Sequence, residues 1–190
     1  MKNLSGILEI LERNPIIGAV RDGQDIDEVV KSSVGVVFIL SANLINIKKI
    51  TQYIQSYDKK VCIHIDLIDG LGKDHAAVDY LKEYVKPDGY ITTKVTLAKY
   101  AKQAGLFTVQ RLFIIDSHSL ITGAKNVRET GPDAVEVMPG IAIKILERIK
   151  EKISVPIIAG GLISTKDDII DSLSAGVLAV STSCRELWNM

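Results

Sequence analysis

Residues 134–161 read AVEVMPGIAIKILERIKEKISVPIIAGG, and this stretch decides the fold. Its first five residues, Ala134-Val135-Glu136-Val137-Met138, form a short apolar run interrupted by one carboxylate. Ile141, Ile145, Ile149 and Ile153 then recur at helical spacing with lysines and glutamates on the opposite side, the pattern of a helix that lays one face on a sheet. Pro156-Ile157-Ile158-Ala159 is a second apolar run, opened by a proline where no ladder hydrogen bond is lost, and it ends in Gly160-Gly161. A strand, an amphipathic helix and a strand in that order imply parallel strands joined by a helical crossover.

The same unit recurs outward in both directions. Val- and Ile-rich runs lie at 16–20, 36–40, 61–68, 89–93, 107–115, 134–138, 156–159 and 177–180, which makes eight. Several are nearly continuous in apolar residues, as strands buried on both faces of a parallel sheet are. Residues 46–57 carry Ile47, Ile50, Tyr53 and Ile54 at helical spacing. Pro15, Pro87-Asp88-Gly89 and Gly131-Pro132-Asp133 each stand just before a strand, and Ser164-Thr165-Lys166-Asp167 opens a helix over 167–173 that Gly176 stops. Eight such units predict an α/β fold, a single closed (β/α)8 TIM-type barrel over residues 1–190, since closure removes the sheet edges that an open sheet would expose. Such barrels typically need about 250 residues, so short loops and an open site are expected. Residues 4–13 put Leu4, Ile7, Leu8 and Leu11 on one face, either as a plug for the barrel bottom or as a helix on the surface.

Composition excludes several function classes. With 47% hydrophobic and 24% charged residues the chain is an ordinary globular one. Twenty-three basic side chains balance twenty-three acidic ones, so no general positive field draws in nucleic acid or an anionic membrane. Lys48-Lys49 and Lys59-Lys60, with Tyr53 and Tyr57 between them, read first as solvated helix faces. RNA would need such a local basic face or one assembled by a homo-oligomer. Cys62 and Cys184 stand far apart, against a disulfide framework or a zinc cluster. Lys2 is followed by Glu9, Glu12 and Arg13 before any signal-peptide core forms, and no run reaches the ~18 apolar residues of a membrane span. A soluble cytoplasmic protein is expected.

Barrel chemistry gathers where strands end. Those ends are Arg21-Asp22, Ser41-Ala42-Asn43, His64-Ile65-Asp66, Lys94, Asp116, Glu136, Gly160-Gly161 and Ser181-Thr182-Ser183. Gly160 and Gly161 would let backbone N–H groups approach an anion, and the hydroxyls of Ser181 and Ser183 precede a short final helix, which together form a phosphate site of the kind barrels build after strands seven and eight. His64 and Asp66, two apart in one strand, would share the barrel interior, as would Glu136, while Thr108 and Gln110 compete with Arg111 for the inward side. Buried Asp66, Lys94 and Glu136 would have to pair with one another or with a ligand, and the ligand reading is preferred. No metal or cofactor is expected, because His75 and His118 fall on helices and leave His64 without partner ligands. No nucleophile and base stand together, so no catalytic residue is assigned. Cys184 has no base near it and reads as ordinary.

The segments 63–74 (IHIDLIDGLGKD), 87–94 (PDGYITTK), 109–113 (VQRLF), 138–140 (MPG), 156–163 (PIIAGGLI) and 179–188 (AVSTSCRELW) resemble the glycerol uptake operon antiterminator regulatory protein family nearly from end to end. The resemblance implies a barrel that senses glycerol 3-phosphate and acts on leader mRNA to prevent premature termination. It also implies that Gly160, Gly161, Ser181 and Ser183 hold the phosphate and that Asp66, Lys94, Arg111 and Glu136 line the rest of the pocket. Where the family tends toward a Phe-Gly-Asp-like stretch this chain has Ser41-Ala42-Asn43, and where Lys is expected it has Arg21. The competing class is an enzyme: His64-Ile65-Asp66-Leu67-Ile68-Asp69-Gly70 is similar to a stretch of ribulose-phosphate 3-epimerase, which needs further metal-binding histidines.

Overall fold

The computed structural model describes residues 4–21 and 23–190; Lys2 and Asp22 lie outside them, as does the side chain of Leu4. Helix α1 (Leu4–Arg13) leads into β1 (Ile16–Val20), α2 (Gly23–Lys31), β2 (Val36–Ile39), the two-residue β3 (Ala42–Asn43) and α3 (Ile47–Gln55). Then come β4 (Lys60–His64), a 3-10 turn (Ile65–Leu67), the short β5 (Ile68–Asp69), α4 (His75–Tyr80) with a π turn (Leu81–Val85), β6 (Gly89–Thr92) and α5 (Val95–Gln103). The chain finishes with β7 (Phe107–Phe113), α6 (Ser117–Thr130), β8 (Ala134–Met138), α7 (Ile143–Lys150), β9 (Ile157–Gly160), α8 (Lys166–Ser174), β10 (Ala179–Thr182) and a closing 3-10 helix (Arg185–Asn189).

Eight parallel strands close in the order β1-β10-β9-β8-β7-β6-β4-β2, and β1 pairs with β2 to complete the ring. The fold is therefore the (β/α)8 barrel that the eight apolar runs predict. Alternation along each strand sends one set of side chains inward and the other toward the helices. The inner set holds Ile17, Ala19, Val36, Phe38, Cys62, Ile91, Val109, Ala134, Ile158 and Ala179. The outer set, including Val37, Ile39, Ile63, Val135, Val137 and Val180, packs under the helices. Burial of Cys62 pushes its thiol pKa up. Ile7 and Leu11 of α1 are buried and join the inner set, so α1 plugs the N-terminal end of the barrel and does not lie loose on the surface.

Three ties fasten the last turn and the neighbouring helices. Trp188 Nε1 donates to the Thr182 carbonyl at 2.9 Å, and Arg185 Nε donates to Asp25 Oδ1 of α2 at 2.6 Å. Two residues along the same helix, Asp27 Oδ1 accepts from the Tyr53 hydroxyl of α3 at 3.2 Å.

The run 61–68 is not one strand. It stops at His64, turns through Ile65–Leu67, and resumes as β5 to pair with β3 above the barrel (Ala42 with Ile68, Asn43 with Asp69). Asp66 thus sits on the turn and not on a strand face shared with His64. Among the described residues no helix is long and apolar enough to cross a membrane.

Candidate functional site

Arg111 and Glu136 are register partners on β7 and β8, and both point inward. Thr108 and Gln110 take the outer side; the Thr130 hydroxyl of α6 donates to Gln110 Oε1 at 2.6 Å. Glu136 is fully buried, and a lone carboxylate there would be costly. Two donors resolve it: Arg111 Nε reaches Oε2 at 2.6 Å, and the Ser181 hydroxyl reaches Oε1 at 2.6 Å. The chain of contacts Arg111–Glu136–Ser181 links β7, β8 and β10 across the interior.

Gly160 explains itself in this setting. A Cβ at that position would lie 2.5 Å from Glu136 Oε1 and 2.6 Å from Ser181 Oγ, so a side chain there would break the carboxylate's contact. Next to it, Gly161 (φ 79°) and Leu162 (φ 63°) are both left-handed. For leucine that conformation stores strain, which functional loops often carry. This turn carries the chain over a cleft of about 60 Å³, room enough for a few waters or a small anion. Arg21, Met138, Gly161, Ser181 and Ser183 line it together with the exposed Leu162. The Ser183 hydroxyl and the Arg21 guanidinium have no hydrogen-bond partner among the described residues, whereas the one proton of Ser181 is already given to Glu136. Thr182, between the two serines, serves the fold: its hydroxyl donates to the Ile163 carbonyl at 2.7 Å and accepts from Cys184 N at 3.0 Å.

Asp66 is tied to the end of β6. Thr93 N donates to its Oδ2 at 2.7 Å, Thr93 Oγ1 to the same atom at 2.8 Å, and Thr92 Oγ1 to Oδ1 at 2.9 Å. Burial pushes this carboxyl up, but the Thr93 and Thr92 donors outweigh it and hold the pKa below the usual carboxylate value. Lys94 departs from the sequence expectation of a buried partner. β6 ends at Thr92, so Lys94 stands exposed at the head of α5 with its Nζ 3.4 Å from the Lys73 carbonyl, and neither Asp66 nor Glu136 pairs with it.

His64 is buried at the inward-facing end of β4, and burial pushes its pKa down to about 4, with the Arg111 charge adding to the shift. The imidazole is therefore neutral at physiological pH. Among the described residues no three His, Cys, Asp or Glu side chains gather as a metal site.

The structure brings Glu136, Arg111, Gly160, Gly161, Ser181 and Ser183 to one end of the barrel. It sets Asp66 on the turn above His64 and leaves Lys94 at the rim. Arg21 is a cleft residue that the choice of candidates left out, although its place at the end of β1 was the available signal. Leu162 had none, because nothing in a Gly-Gly-Leu string marks a strained leucine.

Comparison with known proteins follows the same lines. The sequence model for glycerol-3-phosphate responsive antiterminators matches residues 16–188. The uncharacterized protein YgcP of Escherichia coli (strain K12) is 35% identical over 184 residues, covering 97% of this chain and 96% of its own. The crystal structure of a glycerol uptake operon antiterminator regulatory protein from Listeria monocytogenes superposes with a TM-score of 0.89 at 33% identity, covering 92% of this chain and 95% of that one. A glycerol uptake operon antiterminator-related protein from Thermotoga maritima does so with a TM-score of 0.83, also at 33% identity, over 92% and 98% of the two chains. With the family match running from β1 into the closing 3-10 helix, the chain belongs to the glycerol-3-phosphate responsive antiterminator family.

Proposed function

We propose that this protein binds glycerol 3-phosphate, or a three-carbon phosphate of similar shape, in the barrel mouth, and that the bound state acts on leader RNA as a transcription antiterminator. The observation that carries the ligand reading is the cleft under the Gly161-Leu162 turn, where Arg21 and Ser183 present side-chain donors that no described residue engages. A phosphate there meets charge from Arg21, a hydroxyl from Ser183 and backbone at Gly161. Ser181 takes the indirect role of holding Glu136.

Catalysis has no part in this reading. Ser181–Glu136 and Cys184–Glu186 each place a nucleophile beside a carboxylate, but Glu136 is taken up by its ion pair with Arg111, and the hydrogen bond to Glu186 pushes the Cys184 thiol pKa up. Incubation with triose and pentose phosphates in deuterated water should leave every carbon unlabelled by mass spectrometry, and protein-dependent deuterium uptake would move the reading to the epimerase class.

For RNA, the available face is narrower than the sequence suggests. Lys59 is buried with its Nζ donating to the Ser32 and Val34 carbonyls, and Lys60 pairs with Asp88 at 2.9 Å. Lys48 and Lys49 remain exposed on α3 beside Tyr53 and Tyr57, whose rings meet edge to face at 5.4 Å. Exposed aromatics among lysines suit the stacking of unpaired bases. A filter-binding titration of the glycerol-operon leader RNA from the same organism, at two salt concentrations, tests the whole reading. Glycerol 3-phosphate should raise RNA affinity and glycerol should not. RNA binding indifferent to ligand and to sequence would overturn it.

A further inference from the structure

The barrel mouth holds two polar groups that the described residues leave unsatisfied. His64 is 2% exposed and Arg111 6% exposed, yet His64 Nδ1 and Arg111 Nη2 have no hydrogen-bond partner among the described residues. Arg111 spends its Nε on Glu136, and Asp66 Oδ2 lies 4.0 Å from His64 Nδ1, beyond hydrogen-bond reach. Buried donors and acceptors are paired in most folded proteins, so two orphans at the same end of one barrel call for a reason. They extend the inward columns of Cys62 on β4 and Val109 on β7, the strands that flank β6. In the ring of eight, β6 lies opposite β10, where Ser183 and the cleft are.

We infer that His64, Asp66 and Arg111 form a second subsite that reads the hydroxyl end of a polyol phosphate, with His64 setting the preference for an intact vicinal diol. The inference rests on the proposed phosphate end for its ligand's orientation. Its chemistry comes from the three groups themselves. Arg111 Nη2 can only donate, Asp66 can only accept, and a neutral imidazole nitrogen does one or the other according to its tautomer. A hydroxyl both donates and accepts, so neighbouring hydroxyls satisfy all three. A second anionic group would meet the Asp66 carboxylate beside a neutral ring, and an ammonium would meet the Arg111 charge, so the subsite disfavours both.

Calorimetry decides it, with glycerol 3-phosphate, the monophosphate of 1,3-propanediol (which lacks the central hydroxyl) and inorganic phosphate as probes. The wild-type protein should prefer glycerol 3-phosphate over the deoxy compound by about tenfold, the size of one lost hydrogen bond that leaves a buried partner unpaired. His64→Leu should bring the two within about threefold while inorganic phosphate binds as before, and His64→Asn, which keeps a polar atom near the Nδ1 position, should restore part of the preference. Thermal unfolding of each variant establishes that it is folded. A His64→Leu protein with the wild-type preference overturns the inference. If none of the three phosphates binds the wild-type protein, it is the phosphate reading that falls. The subsite is then judged by the ring ¹⁵N signals of His64 during titration with glycerol: movement supports it, and no movement up to about 1 M overturns it.

Discussion

Arg111 and Glu136 show how one side chain makes another tolerable. The carboxylate is fully buried and depends on two donors, one of them charged. Arg111→Met should destabilise the protein by about 3–5 kcal/mol in urea unfolding, because it strands a buried charge, whereas Arg111→Met combined with Glu136→Gln should recover most of that loss. His64 gives a pH dependence. Its pKa falls from 6.5 in the unfolded chain to about 4 when folded, so between those values the unfolded state binds the proton first. Stability contributed by the neutral ring is thus present above pH 6.5 and is lost as pH falls toward 4. Asp66, held below the usual range, adds a loss of the same sign at lower pH. Urea unfolding at pH 5 and pH 7 should show the wild-type protein weaker at pH 5, with a smaller difference in His64→Leu. At this scale the sequence supplied the candidates but not their partners. That Glu136 would meet Arg111 and Ser181 depends on the register of three strands, while Lys94 missed the interior because its strand stops two residues earlier.

Elements were legible where their pattern was periodic and blurred where it was not. α7 and α3 carry isoleucines on one face and were readable to within a few residues, since polar positions between apolar ones mark a helix. Runs such as 61–68 and 107–115 have no such contrast, so their ends are invisible in the string. β4 stops because the Asp66 carboxylate collects donors from Thr92 and Thr93, a contact made across 26 or 27 positions. The π turn Leu81–Val85 likewise leaves no mark in composition. α1 was readable as amphipathic but not as to what it covers. Its packing against the inner set predicts that Leu11→Ala costs about 2–5 kcal/mol by denaturant unfolding. Replacing the exposed Glu9 on the same helix by Ala should stay within about 0.5 kcal/mol.

The whole molecule is neutral, but its charge is not evenly spread. Residues 47–103, from α3 to the end of α5, hold ten lysines against seven carboxylates, and all six tyrosines. If unpaired RNA docks on the α3 face, Lys48→Glu with Lys49→Glu should lower its affinity and reduce the slope of log K against log salt by about 1.4, as for the loss of two phosphate contacts on a single strand. Glycerol 3-phosphate affinity in calorimetry should be unchanged by that pair, which lies on the outer wall and away from the mouth. Fold class and the end of the barrel where the candidate residues meet could be read from the string of eight runs. Which lysines stay exposed could not, because buried Lys59 and exposed Lys49 look alike until the chain is folded.

Helix α2 is held like a rocker arm. One of its aspartates grips Arg185, two residues past Ser183 at the cleft, and another holds the phenol of Tyr53 among the outer lysines. A shift of the closing 3-10 helix would therefore bear on the helix that holds Tyr53 of the aromatic pair outside. Tyr53→Phe removes the outer grip and keeps the ring. If glycerol 3-phosphate and RNA bind as proposed, it should leave each able to bind alone while shrinking the factor by which one strengthens the other, a factor that must read the same from the ligand side and from the RNA side.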